Sequence, residues 1–245
     1  MNFSFWIIRG LLQCEMKNTV KGILENFVHL IRQFGLIPNG GRVYYLNRSQ
    51  PPMFIQMVKA YEEFTGDTEF VKSILPEMLK EFEYWQAQHS ISLKYNGQHY
   101  DMMRYNCEDD GPRPESYVED FELVKKYSKG KTENEKRSLF WELKTGAETG
   151  WDYSSRWFIN GDTGTNQGDL QDIKVRSIIP VELNCLHATN AKILAYYYVA
   201  LLKDNVESDR LNRIGDDLTL AINEVLWNES DGVWYDYDLK NNKSR

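Results

Sequence analysis

The chain of 245 residues has few of the features that mark metal proteins, disulfide scaffolds, membrane spans or nucleic-acid binders. Its three cysteines, Cys14, Cys107 and Cys185, lie too far apart for a zinc spacing or a disulfide framework, and each reads as a small buried apolar residue. Its four histidines, His29, His89, His99 and His187, form no Cys/His cluster, so no metal is expected. His29 and His187 fall in helical patterns, where a structural role is the better reading. No apolar run reaches the roughly 18 to 20 residues needed to cross a bilayer, and no basic region followed by an apolar signal core opens the chain. Basic residues are in deficit: 29 Lys and Arg stand against 36 Asp and Glu, giving a formal net charge of −7. That charge is spread in short alternating patches, which argues against nucleic acid or an acidic membrane surface and favours a neutral small-molecule ligand. Gly40-Gly41 has neither the preceding strand nor the Gly-Lys-Ser/Thr ending of a phosphate loop. The Asp162–Asp169 stretch faintly resembles a calcium loop, but Ile173 stands where the twelfth-position glutamate is needed, so a polar loop and no cofactor are expected.

What is present is enough for a sizeable core. Hydrophobic residues make up 42% and charged residues 27%, a balance that excludes a disordered chain and predicts a single globular domain over 1–245. Val20, Ile23, Leu24, Phe27, Val28 and Ile31 recur at helical spacing and stop at Gly35 and Pro38. A second run from Phe54 to Phe64 and a third from Phe70 to Trp85, divided by Gly66-Asp67, predict a helical hairpin. Ile91, Leu93 and Tyr95 alternate toward Asn96-Gly97, the turn signal of a short β-hairpin. From Asp101 to Glu148 the pattern turns polar and irregular and is read as mostly loop with room for one helix. Two more helical stripes run from Leu183 to Leu201 and from Leu211 to Val225. The regular structure is therefore expected to be almost all helix, with antiparallel pairs and long polar connections gathered on one rim.

Three of those polar connections share an unusual chemistry. Thr149–Trp157 packs Asp152, Arg156, two serines and three aromatic rings into nine residues, and Pro38–Pro52 and Pro112–Tyr117 carry a similar mixture of arginine, amide, carboxylate and ring. A pyranose presents flat C–H faces that rest on aromatic rings, and a rim of hydroxyls suited to carboxylate and guanidinium partners. Together the three stretches read as one carbohydrate site. Taken alone, Asp152 would more often be a helix cap or a surface partner of Arg156.

The same stretches resemble, nearly residue for residue, motifs of the trehalases, glycosidases that cleave α,α-trehalose into two glucose molecules. The resemblance extends from Phe5-Trp6-Ile7-Ile8-Arg9-Gly10-Leu11 to Gly232-Val233-Trp234-Tyr235-Asp236-Tyr237-Asp238, so the chain looks like a fragment of such an enzyme. It implies an (α/α)6 toroid, incomplete at the C-terminus, trehalose as substrate, and a secreted or membrane-anchored location. It further implies Asp152 as general acid, with Asn39, Arg48, Ser49, Gln50, Arg113, Pro114, Glu115 and Gly150 in contact with sugar. Two departures stand out: Asn2 and Phe3 replace a Trp-Asp pair of the family, and no residue here matches the family's catalytic base, a glutamate farther toward the C-terminus. A sugar-binding fragment without turnover is the alternative expectation. For the acid to hold its proton near neutral pH, Asp152 needs desolvating neighbours, a part that Trp151 and Tyr153 are expected to play.

Overall fold

Each long apolar stripe in the sequence corresponds to a helix in the computed structural model, which describes residues 2–127 and 131–245 apart from the side chains of Asn2 and Phe3. The exchange at Asn2 and Phe3 thus lies outside the described side chains. Eight α-helices occur among the described residues: α1 (Asn2–Gln13), α2 (Lys17–Phe34), α3 (Phe54–Thr65), α4 (Thr68–His89), α5 (Tyr117–Tyr127), α6 (Glu133–Glu148), α7 (Val181–Tyr197) and α8 (Asn205–Ala221). The chain divides into two compact units, each assembled from three segments. The first comprises 1–37, 51–103 and 180–235, and the second 38–50, 104–179 and 236–245.

In the first unit the apolar faces of α1 to α4, α7 and α8 close on one core that includes Leu24, Ile31, Phe54, Met57, Leu75, Met78, Leu194 and Leu211. Each fully buried aliphatic or aromatic side chain contributes roughly 1.5–3 kcal/mol relative to exposure, so this cluster is the main source of the unit's stability. Asp67 caps the start of α4: its carboxylate accepts the Phe70 N–H at 3.1 Å and Lys21 Nζ at 2.8 Å. The Lys21 hydrogen bond is the main reason its carboxyl is held below the usual range. The polar residues inside the α7 stripe have specific partners. Asn190 donates to the Pro52 carbonyl at 2.8 Å, and Asn184 both accepts from the Met103 N–H at 2.7 Å and donates to the Met103 carbonyl at 2.9 Å. Asn184 thereby ties α7 to the hairpin of β1 (Ser90–Tyr95) and β2 (Gln98–Met103), whose Asn96-Gly97 turn has both φ angles positive as foreseen.

The second unit departs from the sequence reading. The block taken as mostly loop with one helix holds two, α5 and α6. Their signal was hidden because the buried face of α6 is largely polar: Glu142, Lys144, Thr145 and Glu148 are all buried there with partners. Arg176 Nε donates to Glu142 at 3.0 Å, Lys144 pairs with Asp109, and the Cys107 N–H donates to Thr145 Oγ1 at 3.1 Å. The start of α6 is a capping box in which Thr132 and Glu135 exchange side-chain-to-backbone bonds. A small sheet orders β4 (Tyr237–Asp238) between β3 (Ile178–Ile179) and β5 (Lys243–Ser244). The cysteine expectation is also corrected: Cys107 is buried, whereas Cys14 and Cys185 are exposed.

Candidate functional site

All nine residues singled out from the sequence lie in the second unit. The Pro38–Gln50 segment folds back on itself, with the Asn39 N–H donating to the Arg48 carbonyl at 3.0 Å and the Arg48 N–H to the Tyr45 carbonyl at 3.2 Å. This turn buries Arg48 almost completely, sets its guanidinium 4.9 Å from the centre of the Tyr45 ring, and directs Nη2 to the carboxylate of Glu115. Burial alone would raise the Glu115 carboxyl. The Arg48 hydrogen bond, a backbone N–H and the charges of Arg48 and Arg113 outweigh it and hold the group below the usual carboxylate range.

Arg113 is buried as well. Its Nε and Nη2 form a fork on Asp120 at 2.9 and 2.6 Å, the same carboxylate accepts its backbone N–H at 2.9 Å, and the guanidinium lies 4.8 Å from the centre of the Tyr153 ring. Arg113 therefore joins the Pro114-Glu115 stretch to the Asp152 loop, and Arg48 joins Glu115 to the first loop. Ser49 and Gln50 reach the end of α6, the Ser49 N–H donating to Glu148 at 3.1 Å and Gln50 Nε2 to the Ala147 carbonyl at 3.2 Å. Val43, Tyr44, Leu46, Asn47, Asp109 and Pro114 are among the residues that line an open cavity of about 410 Å³ beside these contacts.

Asp152 sits on a tight turn directly after α6, with φ of +71° at Gly150 and +48° at Asp152. Glycine enters the left-handed region freely and aspartate tolerates it, but any non-glycine residue there is uncommon and strained positions gather at functional sites. The turn is held closely: Thr149 Oγ1 accepts the Trp151 N–H at 2.9 Å and donates to the Gly146 carbonyl at 2.7 Å. Gly146 matters here because a Cβ at that position would stand 3.3 Å from the Asp152 carbonyl oxygen and 3.1 Å from the Tyr153 ring. The local alternative for Asp152, pairing with Arg156, is not what the structure shows. Arg156 forms a fork on Asp236 at 2.6 and 2.7 Å and stacks against Trp151 and Trp157.

One expectation about Asp152 needs correction. Trp151 is 53% exposed and Asp152 is exposed too, so these neighbours do not desolvate the carboxyl. The Trp151 indole leans on Arg156 instead of covering Asp152. Sequence reasoning also missed Glu148, Asp120 and Asp236, the carboxylates that position the Ser49 backbone, Arg113 and Arg156. Glu148 is an acid at the end of a helix, where the dipole disfavours negative charge, but that signal was hidden because α6 fell in a block read as mostly loop. Among the described residues no group of three or more His, Cys, Asp or Glu side chains is arranged to hold a metal ion. The site offers instead buried guanidinium groups, an accessible carboxyl and aromatic faces, a set suited to a neutral polyhydroxylated ligand.

The chain is 46% identical over 242 residues to the trehalase of Pimpla hypochondriaca, covering 99% of this chain and 40% of that protein. It is 42% identical over 242 residues to the trehalase of Bombyx mori, covering 99% and 41%, and 39% identical over 240 residues to that of Homo sapiens, covering 98% and 40%. The chain thus spans about 40% of the length of these relatives. The solved structure of the neutral trehalase of Saccharomyces cerevisiae superimposes with a TM-score of 0.73 over 99% of this chain and 46% of its own, at 19% identity, a likeness of fold. Since residues 3–245 match the family model described as trehalase, the chain belongs to the trehalase family.

Proposed function

We propose that the protein to which this chain contributes hydrolyses the glycosidic bond of α,α-trehalose to two glucose molecules with inversion. Its helices then form part of an (α/α)6 toroid within one catalytic domain. The observation that carries this reading is the linkage of the Arg48, Arg113 and Asp152 loops within one unit, through Arg48 on Glu115 and Arg113 against Tyr153. Asp152 is the general acid: it gives its proton to the bridging oxygen as the C–O bond breaks, while a second carboxylate activates water from the opposite face. No residue of this chain is assigned that second role. Asn39, Arg48, Ser49, Gln50, Arg113, Pro114, Glu115 and Gly150 hold the glucose hydroxyls and ring. Because the Asp152 carboxyl is exposed, its desolvation comes from the sugar rings seated against it.

The alternative is sugar binding without turnover, favoured by the open setting of Asp152. Glucose release and trehalose binding, measured on the 245-residue chain and on Asp152→Ala, separate the two. Turnover that falls by ~10²–10⁴-fold in the variant, giving equal early amounts of α- and β-glucose by proton NMR, supports inverting hydrolysis. Binding without Asp152-dependent turnover supports the alternative, and absence of both overturns the sugar site.

A further inference from the structure

We propose that Glu148 is a positioning residue that fixes the register of the Arg48–Gln50 loop against the Gly150–Asp152 turn. Its side chain is wholly buried on the last turn of α6, a place where the helix dipole disfavours a carboxylate, so helix stability gives no reason for an acid there. Its two oxygens are directed to backbone of two separate loops. Oε1 accepts the Ser49 N–H at 3.1 Å and Oε2 the Asn106 N–H at 3.3 Å. The residue before it accepts from Gln50 through the Ala147 carbonyl at 3.2 Å, so two consecutive positions of α6 grip two consecutive residues of the sugar-facing loop. The residue after it, Thr149, accepts the Trp151 N–H one residue short of Asp152. A continuous path of hydrogen bonds and covalent bonds therefore runs from Ser49 through Glu148 and Thr149 to the turn that carries the acid.

Both of these contacts are made to backbone N–H groups, so they fix the course of the two loops themselves. A carboxylate is the side chain that can accept at both oxygens; a carboxamide of the same shape accepts at one and presents a donor at the other. The inference rests on the sugar-site reading, but Glu148 itself touches no sugar.

The test compares wild type with Glu148→Gln by site-resolved amide exchange and by trehalose titration. The expected result is exchange at least roughly 10-fold faster at Ser49 or Asn106, with α6 interior amides and circular dichroism unchanged, and trehalose affinity weakened by roughly 10- to 100-fold. Unchanged protection at both amides, or faster exchange spread evenly through the unit, overturns the proposal. A wild-type chain that does not bind trehalose would sink the sugar site, while the exchange pattern would still decide the role of Glu148. Should the variant fail to fold, the wild type decides. Slow exchange at both amides, with shifts at both on adding trehalose, supports the role; exchange as fast as in unbonded loop amides overturns it.

Discussion

Asp152 combines two properties that pull apart when it is replaced: it carries an exposed carboxyl and it occupies a left-handed backbone conformation. Glycine at 152 removes the acid but suits φ of +48°, whereas alanine removes the acid and keeps a Cβ where it is disfavoured by roughly 1–2 kcal/mol. The expected order of stability in urea is therefore Asp152→Gly at least equal to wild type, with Asp152→Ala below the glycine variant by about 1 kcal/mol. If the alanine variant were as stable as the glycine one, the turn would be unstrained at Asp152. At this scale Asp152, Arg48 and Arg113 were singled out by resemblance, and the structure places all three in one unit. The sequence was least legible for the carboxylates that hold such residues in place. Asp236 lies 80 positions from Arg156, and Glu148 lies 99 from Ser49, separations at which no local pattern signals a partner.

Elements were legible in proportion to how apolar their buried faces are. The stripes of α2, α3, α4 and α7 predicted their helices, while α6, buried on Glu142, Lys144, Thr145 and Glu148, lay in a block read as mostly loop with room for one helix. One charged residue also hides inside an apolar stripe. Glu81 on α4 is fully buried, and desolvation, only partly offset by a hydrogen bond with Trp85, pushes its pKa up from 4.5 to about 8. On α7, His187 stacks on Phe82 at 4.1 Å between ring centroids, and desolvation together with the nearby His89 pushes it down from 6.5 to about 3. The signs follow from linkage. The native state keeps the Glu81 proton where the unfolded chain has lost it, so this contribution is complete below pH 4.5 and is lost as pH rises through about 8. For His187 the unfolded chain binds a proton below 6.5 that the native state refuses, so stability is lost as pH falls from 6.5 toward 3. Glu81→Gln should therefore be more stable than wild type by about 3 kcal/mol at pH 7, with the gap shrinking toward pH 5. Urea unfolding of both proteins across that range checks it. A gap that did not change with pH would show that Glu81 is not held protonated in the native chain.

At the scale of the whole molecule the helical class was readable from periodicity, and the family from three loop motifs. The division into two units was not, because each unit is assembled from three segments that alternate along the chain with those of the other. Large apolar side chains also face solvent, as expected of an incomplete toroid whose inner apolar faces lack partners. On α1, Trp6 is 69% and Ile7 54% exposed, and on α5 Tyr117, Val118 and Phe121 form an exposed group in which Tyr117 and Phe121 stack with rings nearly parallel. Exposed apolar side chains of this kind favour association, and net charge opposes it. The formal charge is −7 at pH 7 and vanishes near the sequence pI of about 5.3. The weight-average mass measured by sedimentation or light scattering should therefore rise as pH is lowered from 8 toward 5.3. It should also rise with salt at pH 8, where 0.15 M ionic strength cuts the screening length to about 8 Å. Replacing Phe121 or Trp6 by serine should lower the associated fraction at pH 5.3 without shifting the pH at which association is strongest. If charge alone governed association, the serine variants would match wild type; if the exposed rings had no part in it, the chain would stay monomeric at its pI even at high concentration.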